Sequence, residues 1–309
     1  MRVIKNHILL SILFILPLGL SAQKEVVFTQ YMHNEVTINP AYAGTHDALS
    51  ATALYRKQWV GIDGAPETFS FNVHAPIETK RIGLGISYIN DKIGVVSNNN
   101  LYGSFSYKIP LNHRGTKFLS FGLQAGFTQT QADLTSLDIR DHSDLYLHEN
   151  SVNGLMPNFG AGVYYYTDKL YLGLSVPQLI KNSISASGMV GVGGQERHFF
   201  LTAGYVFDIS PMTKFKPSAF INAVAGAPLQ VALTANLIFY EKYWVGAAYR
   251  SFDAVSLLLM YQVNDQFRVG YAYDYSLTAL TDHNSGSHEI VLNYRMTFKK
   301  DKILTPRYF

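Results

Sequence analysis

The stretch Phe28–Pro76 reads FTQYMHNEVTINPAYAGTHDALSATALYRKQWVGIDGAPETFSFNVHAP, and its second half decides the fold. From Leu49 onward, apolar and polar residues alternate, which is the pattern of a β-strand with one buried face. Trp59–Pro66 contains two glycines and a proline, so it predicts a turn. Glu67–Pro76 then alternates again. The sequence therefore predicts a β-hairpin with one apolar face and one polar face.

The same alternation recurs along the rest of the chain in segments of about ten residues, the length that a tilted strand needs to cross a bilayer. Together with the opening hairpin these segments make fourteen predicted strands, and the sequence predicts no helix of any length. The segments that follow the hairpin are Arg81–Asn90, Leu101–Ile109, Lys117–Thr128, Asn158–Thr167, Lys169–Val176, Arg197–Phe207, Lys214–Asn222, Pro228–Phe239, Lys242–Arg250, Ala254–Val263, Gln266–Tyr275 and Ser287–Phe298.

Few residues of the chain are charged and many are aromatic. Asp, Glu, Lys and Arg make up 15% of the sequence, against about 25% in an average soluble protein. Aromatic residues reach 14%. Strands that face lipid on one side and water on the other need little charge, and tyrosine and tryptophan favour the membrane interface. The chain has no cysteine, which excludes disulfides, thiolate metal sites and a cysteine nucleophile.

Met1–Ala22 has the features of a secretory signal peptide: a basic start, the apolar run Ile8–Leu20 and small residues before a polar one. The apolar run is shorter than the roughly 20 residues that a membrane-spanning helix needs. We therefore expect this leader to be removed on export. Its loss removes Arg2 and Lys5 and lowers the net charge from +3 to about +1, which argues against nucleic-acid binding as a main function.

An exported chain of alternating strands can bury its apolar faces in a soluble sandwich or expose them to lipid in a membrane barrel. In lipid every backbone polar group must be paired within the protein, so only a closed sheet is stable there. Strand length, aromatic content and the export signal favour the barrel. We therefore predict an all-β transmembrane outer-membrane barrel of about fourteen antiparallel strands over residues 49–298.

The lengths of the connections indicate an orientation. If the first strand rises from the periplasm, the connections after odd-numbered strands face the outside, and these include the three longest. The connections after even-numbered strands are short, as periplasmic turns of outer-membrane barrels are. Residues 299–309 then form a periplasmic C-terminal tail. The long set is Gln129–Pro157, Pro177–Glu196 and Ser276–Gly286, and the short set includes Tyr166–Lys169, Tyr240–Lys242 and Asn264–Asp265.

Residues 23–48, which precede the first strand, show turn residues but no strand pattern. They include aromatic and aliphatic side chains that are unfavourable in water, so we predict a plug in the lumen or a segment across its periplasmic mouth. The polar faces of the strands carry charges, which either line an aqueous pore or pair with one another and with the plug. We favour the second arrangement. The inward charges are Arg56, Lys108, Arg250, Arg268, Asp274, Glu289 and Arg295.

Two motifs, FTQYMHNEVTINPAYAG at Phe28–Gly44 and YRKQWVGIDGAP at Tyr55–Pro66, resemble the PorP/SprF family of outer-membrane proteins of the Bacteroidetes type IX secretion system. The ending Thr305–Phe309 also resembles that family. The resemblance implies a non-enzymatic outer-membrane component that supports export or anchoring of cargo proteins of the gliding-adhesin type. It also implies two protein partners: a secreted cargo protein with a C-terminal secretion domain, and periplasmic ring proteins of the secretion machine.

The motif residues are the candidate partner-binding residues. Tyr55 and Trp59 also have a simpler explanation, because aromatic residues at strand ends commonly anchor a barrel at the lipid interface. The competing interpretation of the whole chain is a passive outer-membrane channel or small-molecule transporter. The candidate contact residues are Phe28, Gln30, Tyr31, Asn39, Pro40, Tyr42, Gly44, Arg56, Trp59, Gly61, Asp63, Gly64 and Pro66.

The sequence predicts no catalytic residue, no metal ligand and no cofactor. Asp138–Glu149 and Thr281–Glu289 combine histidines with carboxylates, and oxygen ligands suit calcium, but their spacing favours polar external loops. Ser287 and His288 are adjacent and should point to opposite faces of a strand, which disfavours a nucleophile–base pair. The chain also lacks the G-x-S-x-G and H-E-x-x-H motifs.

Overall fold

The computed structural model describes residues 26–77, 81–133, 151–186 and 189–296, with the side chains of all of these except 151–152 and 183–194. The predicted signal peptide (1–22), the predicted periplasmic tail (299–309) and the polar loop Asp138–Glu149 lie outside the described residues.

The described chain consists almost entirely of strands. They are β1 (Leu49–Lys57), β2 (Glu67–Pro76), β3 (Ile82–Ile93), β4 (Val96–Pro110), β5 (Lys117–Asp133), β6 (Ser151–Thr167), β7 (Leu170–Val176), β8 (Asn182–Ala186), β9 (Met189–Gln195), β10 (His198–Tyr205), β11 (Phe207–Ser210), β12 (Thr213–Val224), β13 (Gln230–Phe239), β14 (Tyr243–Arg250), β15 (Ala254–Gln262), β16 (Phe267–Ser276) and β17 (Ser287–Met296). The helical pieces are the one-turn α-helix Glu35–Ile38 and the 3-10 turns Tyr31–His33, Pro40–Tyr42 and Ala279–His283. Within the described residues, no helix combines the length and the apolar character needed to cross a membrane.

The strands form one closed antiparallel barrel. Each strand from β1 to β6 pairs with the next, β7 pairs with β10, β10 with β12, and each strand from β12 to β16 pairs with the next. β17 pairs with β1 from Lys57↔His288 to Leu49↔Met296, which closes the sheet. The short β11 follows β10 and pairs with the same strand, β12, so the two count as one strand of the barrel. β8 and β9 form a separate hairpin. The barrel therefore has fourteen strands, which confirms the predicted fold.

Side chains alternate between the two faces of the barrel wall. In β14 the outward residues Tyr243, Val245 and Tyr249 are exposed, whereas the inward residues Trp244 and Arg250 are buried. Throughout the described barrel, large apolar residues are exposed on the outside and polar residues are buried on the inside. This distribution is the reverse of a soluble protein, and it suits a wall whose outer face contacts acyl chains.

The connections lie at two opposite ends of the barrel. We call one end the loop end, because it carries the connection 58–66 between β1 and β2 and the connection between β5 and β6. The opposite end, the turn end, carries short turns such as 168–169 and 240–242. β1 therefore begins at the turn end and finishes at the loop end.

Strands β3, β4, β5 and β6 extend further at the loop end than the sequence predicted. The predicted external loop Gln129–Pro157 is wrong in part, because strand pairing continues to Asp133↔Ser151. Residues such as 98–100 are polar on both faces, since a strand that rises above the lipid needs no apolar face, so alternation gives no signal there. The predicted loop Pro177–Glu196 likewise contains the β8–β9 hairpin.

Residues 26–48 lie inside the barrel, and we call them the plug. The plug starts near the loop end, where Thr29 bonds to side chains of β16 and β17. It reaches the turn end at the start of β1. Most of its side chains are buried against inward residues of the wall, and Tyr31 and Met32 are each only 1% exposed. The described part of the predicted 23–48 segment therefore occupies the lumen rather than lying across its mouth.

Candidate functional site

The plug is held at the loop end by an ion cluster on β1, β16 and β17. Both carboxylate oxygens of Glu289 accept backbone N–H groups of the plug, from Thr29 at 2.9 Å and from Gln30 at 2.7 Å. The Thr29 hydroxyl donates to Asp274, with its oxygen 2.7 Å from Oδ2. Arg56 donates to that same hydroxyl oxygen at 2.6 Å. The plug backbone is thus fixed by charged hydrogen bonds, which are stronger than neutral ones.

The charged side chains of this cluster are paired with charges of opposite sign. Arg56 contacts Asp274 at 2.7 Å and Glu289 at 3.1 Å, and all three side chains are at most 3% exposed. Arg250 donates a second charged bond to Asp274 at 3.1 Å and pairs with Asp253 at 2.5 Å. Removing one member of a buried ion pair typically costs about 3–5 kcal/mol, because its partner is left charged and unpaired. The inward charges therefore hold the plug and do not line an open pore at this level.

The middle of the plug is packed against the wall by aromatic and amide side chains. Tyr31 lies on Phe220 with ring centroids 5.1 Å apart, and His33 meets the edge of Trp244 at 5.6 Å. Asn34 donates to Ser70 of β2 at 3.1 Å. The one-turn helix that follows buries its apolar residues and brings Glu35 into electrostatic contact with Lys216.

Asn39 turns the chain and approaches the wall at β6 and β7. Its Oδ1 accepts the N–H of Ala41 at 3.0 Å, which caps the 3-10 turn that begins at Pro40. Its Nδ2 donates to the carbonyl of Val163 at 3.1 Å. The plug backbone lies so close to β5 that a Cβ placed on Gly122 would be 2.1 Å from the nitrogen of Ala41. The inward glycine is therefore needed where plug and wall touch.

At the turn end, the plug leaves the lumen through contacts with β2, β3 and β4. Gly44 has φ +67°, a conformation that glycine adopts without strain. Its N–H donates to His74 at 3.0 Å, and its carbonyl accepts Lys108 Nζ at 2.5 Å. Tyr42 is buried and contacts His46 Nε2 through its hydroxyl at 3.2 Å. These contacts fix the last turn of the plug before β1 begins.

The second motif forms a loop on the rim of the loop end. The backbone N–H of Trp59 donates to the hydroxyl of Ser287 at 3.1 Å. Val60 exchanges backbone hydrogen bonds with the connection between β16 and β17. The carbonyl of Gly64 accepts the N–H of Gly94 at 2.9 Å, which ties the loop to the β3–β4 turn. The loop is therefore a fixed surface. Within it, Gly61, Asp63 and Gly64 are exposed and Pro66 is buried.

The structure thus divides the candidate residues into two groups. Trp59, Gly61, Asp63 and Gly64 lie on the rim, where a partner can reach them. The first-motif residues are buried in the lumen, where they serve as plug contacts and have no surface to offer a partner while the plug is in place. These buried residues are Phe28, Gln30, Tyr31, Asn39, Pro40, Tyr42 and Gly44. Arg56 and Pro66 of the second motif are also buried.

The remaining predicted inward charges lie towards the turn end. Arg268 donates to Gln262 at 2.7 Å and lies over the ring of Trp244, and Arg295 is partly buried on β17. Three further lumen residues, Thr29, Glu35 and Lys216, were not predicted from the sequence. Lys216 alternates with outward neighbours on β12, so the period of two could have revealed it. Thr29 and Glu35 lie outside any strand, and no pattern marks them.

The described residues show no group of three or more side chains placed to hold a metal. Ser287 Oγ points inward and accepts the N–H of Trp59, whereas His288 points outward and contacts the hydroxyl of Tyr271 at 2.6 Å. The two side chains are therefore on opposite faces. An internal polar cavity lined by Glu35, Ser50 and neighbouring plug and wall residues has a volume of about 10 Å³, which suits a single water molecule.

Several solved structures are similar to the chain. The TodX deltaS2S3 mutant monoaromatic hydrocarbon channel has a TM-score of 0.49 and 11% identity, over 86% of this chain and 94% of that chain. The CymD monoaromatic hydrocarbon channel has a TM-score of 0.48 and 13% identity, over 88% and 93%. The outer membrane protein Omp33 of Acinetobacter baumannii has a TM-score of 0.45 and 10% identity, over 81% and 96%. No curated protein sequence matches the chain.

The family described as type IX secretion system membrane protein PorP/SprF matches residues 20–294, which include the plug and nearly the whole barrel. This family match and the closed barrel with its apolar outer face together place the protein in the outer membrane. The chain belongs to the PorP/SprF family of type IX secretion system membrane proteins.

Proposed function

We propose that the protein is a non-enzymatic outer-membrane component of the type IX secretion system that supports export or anchoring of cargo proteins of the gliding-adhesin type. In this proposal its partners are a secreted cargo protein with a C-terminal secretion domain and the periplasmic ring proteins of the machine. Family membership supports the assignment to the machine. The plug supports a role in binding and positioning rather than in conduction.

The occupied lumen is the observation that carries this proposal. Described plug residues contact the wall from the ion cluster at the loop end to Gly44 at the turn end, and their side chains are buried. A lumen filled in this way has no room for a polypeptide. Within the described residues, the surfaces left for partners include the rim loop 58–66, which we place on the outside, and the short turns of the turn end, which we place on the periplasmic side.

Deleting residues 26–45, with the leader and β1 retained, tests the proposal. We expect the variant to open a conductance in planar bilayers where the full-length protein is silent, and to stop secretion of the cargo. Heat-modifiable gel migration of both proteins confirms that the barrels are folded. A large and steady conductance of the full-length protein would instead support the alternative function, a passive channel or small-molecule transporter.

A second experiment addresses the partners. The rim-loop variant Asp63→Lys changes an exposed charge without touching the plug or the lumen. We expect it to weaken co-purification of the cargo protein from membranes and to leave the ring proteins bound, because these lie on the periplasmic side. Equal recovery of cargo with the variant and the parent would contradict a role for this loop.

A further inference from the structure

The two ends of the plug are attached to the barrel in different ways. At the turn end the plug continues covalently into β1 at Leu49. At the loop end it is attached through the carboxylates of Glu289 and Asp274. Among these attachments, the loop-end cluster is the one that lies on the seam between the first and last strands, because Arg56 of β1 stands directly opposite Glu289 of β17.

We infer that this cluster is a latch that couples docking of the plug to closure of the barrel seam. Glu289 serves both purposes at once. Its Oε2 accepts the N–H of Thr29 and lies 3.1 Å from Arg56, across the seam, while its Oε1 accepts the N–H of Gln30. Arg56 likewise bridges the seam and donates to the Thr29 hydroxyl at 2.6 Å.

Each half of the latch depends on the other. In the plugged barrel both carboxylates are at most 3% exposed. Without the plug, Glu289 loses two N–H donors and Asp274 loses a hydroxyl donor. Buried carboxylates require such donors. Without a closed seam, the plug loses the paired acceptors of its backbone. While the seam is closed, the plug is fixed at both the loop end and the turn end, so neither half of it can leave the lumen.

The contacts at the turn end have a different character. Lys108 on β4 donates to the carbonyl of Gly44 at 2.5 Å, and Ser106 donates to the carbonyl of Ala43 at 2.6 Å. These bonds to β4, and the bond from the Gly44 N–H to His74 on β2, do not cross the seam. The latch therefore controls release of the loop-end half of the plug, and opening of the lumen from that side begins with loss of the Glu289 contacts.

Site-specific labelling tests the latch, because the chain contains no cysteine. Met32 lies in the plug and is 1% exposed, so Met32→Cys reports whether this part of the plug leaves the lumen. The reaction with a membrane-impermeant maleimide is measured in the membrane-embedded full chain. The parent carries Met32→Cys alone, and the two test proteins carry Met32→Cys together with Glu289→Gln or with Thr29→Ala. We expect both variants to accelerate labelling on the order of tenfold, about the effect of losing one hydrogen bond to a charged group.

Asn293→Ala is the matched control. Asn293 is an inward residue of the same strand and donates to Thr52 across the same seam at 2.8 Å, but its hydrogen bonds within the described chain do not involve the plug. It should leave the labelling rate of Met32→Cys unchanged. Thr29 lies in the plug and in no strand, so Thr29→Ala changes no residue of the barrel wall. If Glu289→Gln fails to show heat-modifiable folding, the labelling rate of Thr29→Ala alone tests the latch. Rapid labelling of the parent, no acceleration in Thr29→Ala, or equal acceleration in Asn293→Ala would overturn the latch.

Discussion

At the scale of single residues, the plug determines which wall positions can carry a side chain. Inward serines reach the plug with a hydroxyl: Ser106, Ser120 and Ser175 donate to the backbone carbonyls of Ala43, Ala41 and Ile38. Gly122 differs, because the backbone of Ala41 lies where its Cβ would be. Gly103 on the neighbouring strand faces lipid, and a Cβ there would lie 3.9 Å from the carbonyl oxygen of Ala125, an ordinary van der Waals contact.

This contrast gives a prediction for two glycine substitutions. Gly122→Ala should lower the free energy of unfolding by about 1–3 kcal/mol, because the new methyl group overpacks the contact between plug and wall. Gly103→Ala should change it by less than about 0.5 kcal/mol, as surface substitutions usually do. Both are measured by denaturant unfolding of the protein in lipid or detergent. Similar losses for both variants would contradict the close approach at Gly122.

At the scale of elements, the plug behaves as a strap that crosses the lumen from one end to the other. In its second half, Asn39 contacts β6 by donating to the carbonyl of Val163. A Cβ added at Gly162 would lie 2.9 Å from Cγ of Asn39. Across a disulfide, the Cβ of one cysteine is about 3 Å from the sulfur of the other. This place is therefore suited to tethering the plug to the wall.

The double variant Asn39→Cys with Gly162→Cys should form a disulfide on mild oxidation, seen as loss of both thiols to a maleimide. Because the proposed function uses a plugged barrel, we expect cargo secretion to continue with the disulfide closed and to be unaffected by reductant. The single variant Asn39→Cys controls for the substitution itself. Secretion that stops on oxidation and returns on reduction would show that the plug has to move.

At the scale of the whole molecule, the outer face defines where the lipid lies. On β5 the outward residues from Leu119 to Phe127 are apolar, and the outward residues Gln129 and Gln131 beyond them are polar. This apolar span matches the band of roughly 25 Å that outer-membrane barrels present to lipid. Leu123 is at its centre and is 63% exposed.

Two arginine substitutions on this strand test the placement. Leu123→Arg should destabilise the barrel in a bilayer by about 2–4 kcal/mol, because it puts a charge at the lipid midplane. Gln131→Arg has the same outward orientation but lies above the lipid, so it should cost about 0–1 kcal/mol. Equilibrium unfolding in lipid vesicles measures both. A protein that stays soluble without detergent, or one with substantial helix by circular dichroism, would contradict the membrane barrel itself.

The amino-acid sequence by itself determined the strand number, the closed barrel and the family motifs. Alternation with a period of two is a local property, and each strand needs one apolar face wherever its neighbours are. The signal fails only where both faces meet water, as in the extensions of β4 and β5 above the lipid. Those extensions are held by pairing with neighbouring strands, which no single segment reveals.

Only the tertiary structure decided what the first motif does. Thr29 and Glu289 are 260 positions apart, and nothing local to either residue indicates their contact. They meet because the sheet closes β17 onto β1 and the plug is enclosed within it. The same closure places Asn39 beside Gly162. It also buries aromatic residues of the first motif that, from the sequence alone, could equally have formed a surface for partners. Contacts across a closed barrel depend on which strands meet, so these roles follow from the closure of the whole chain.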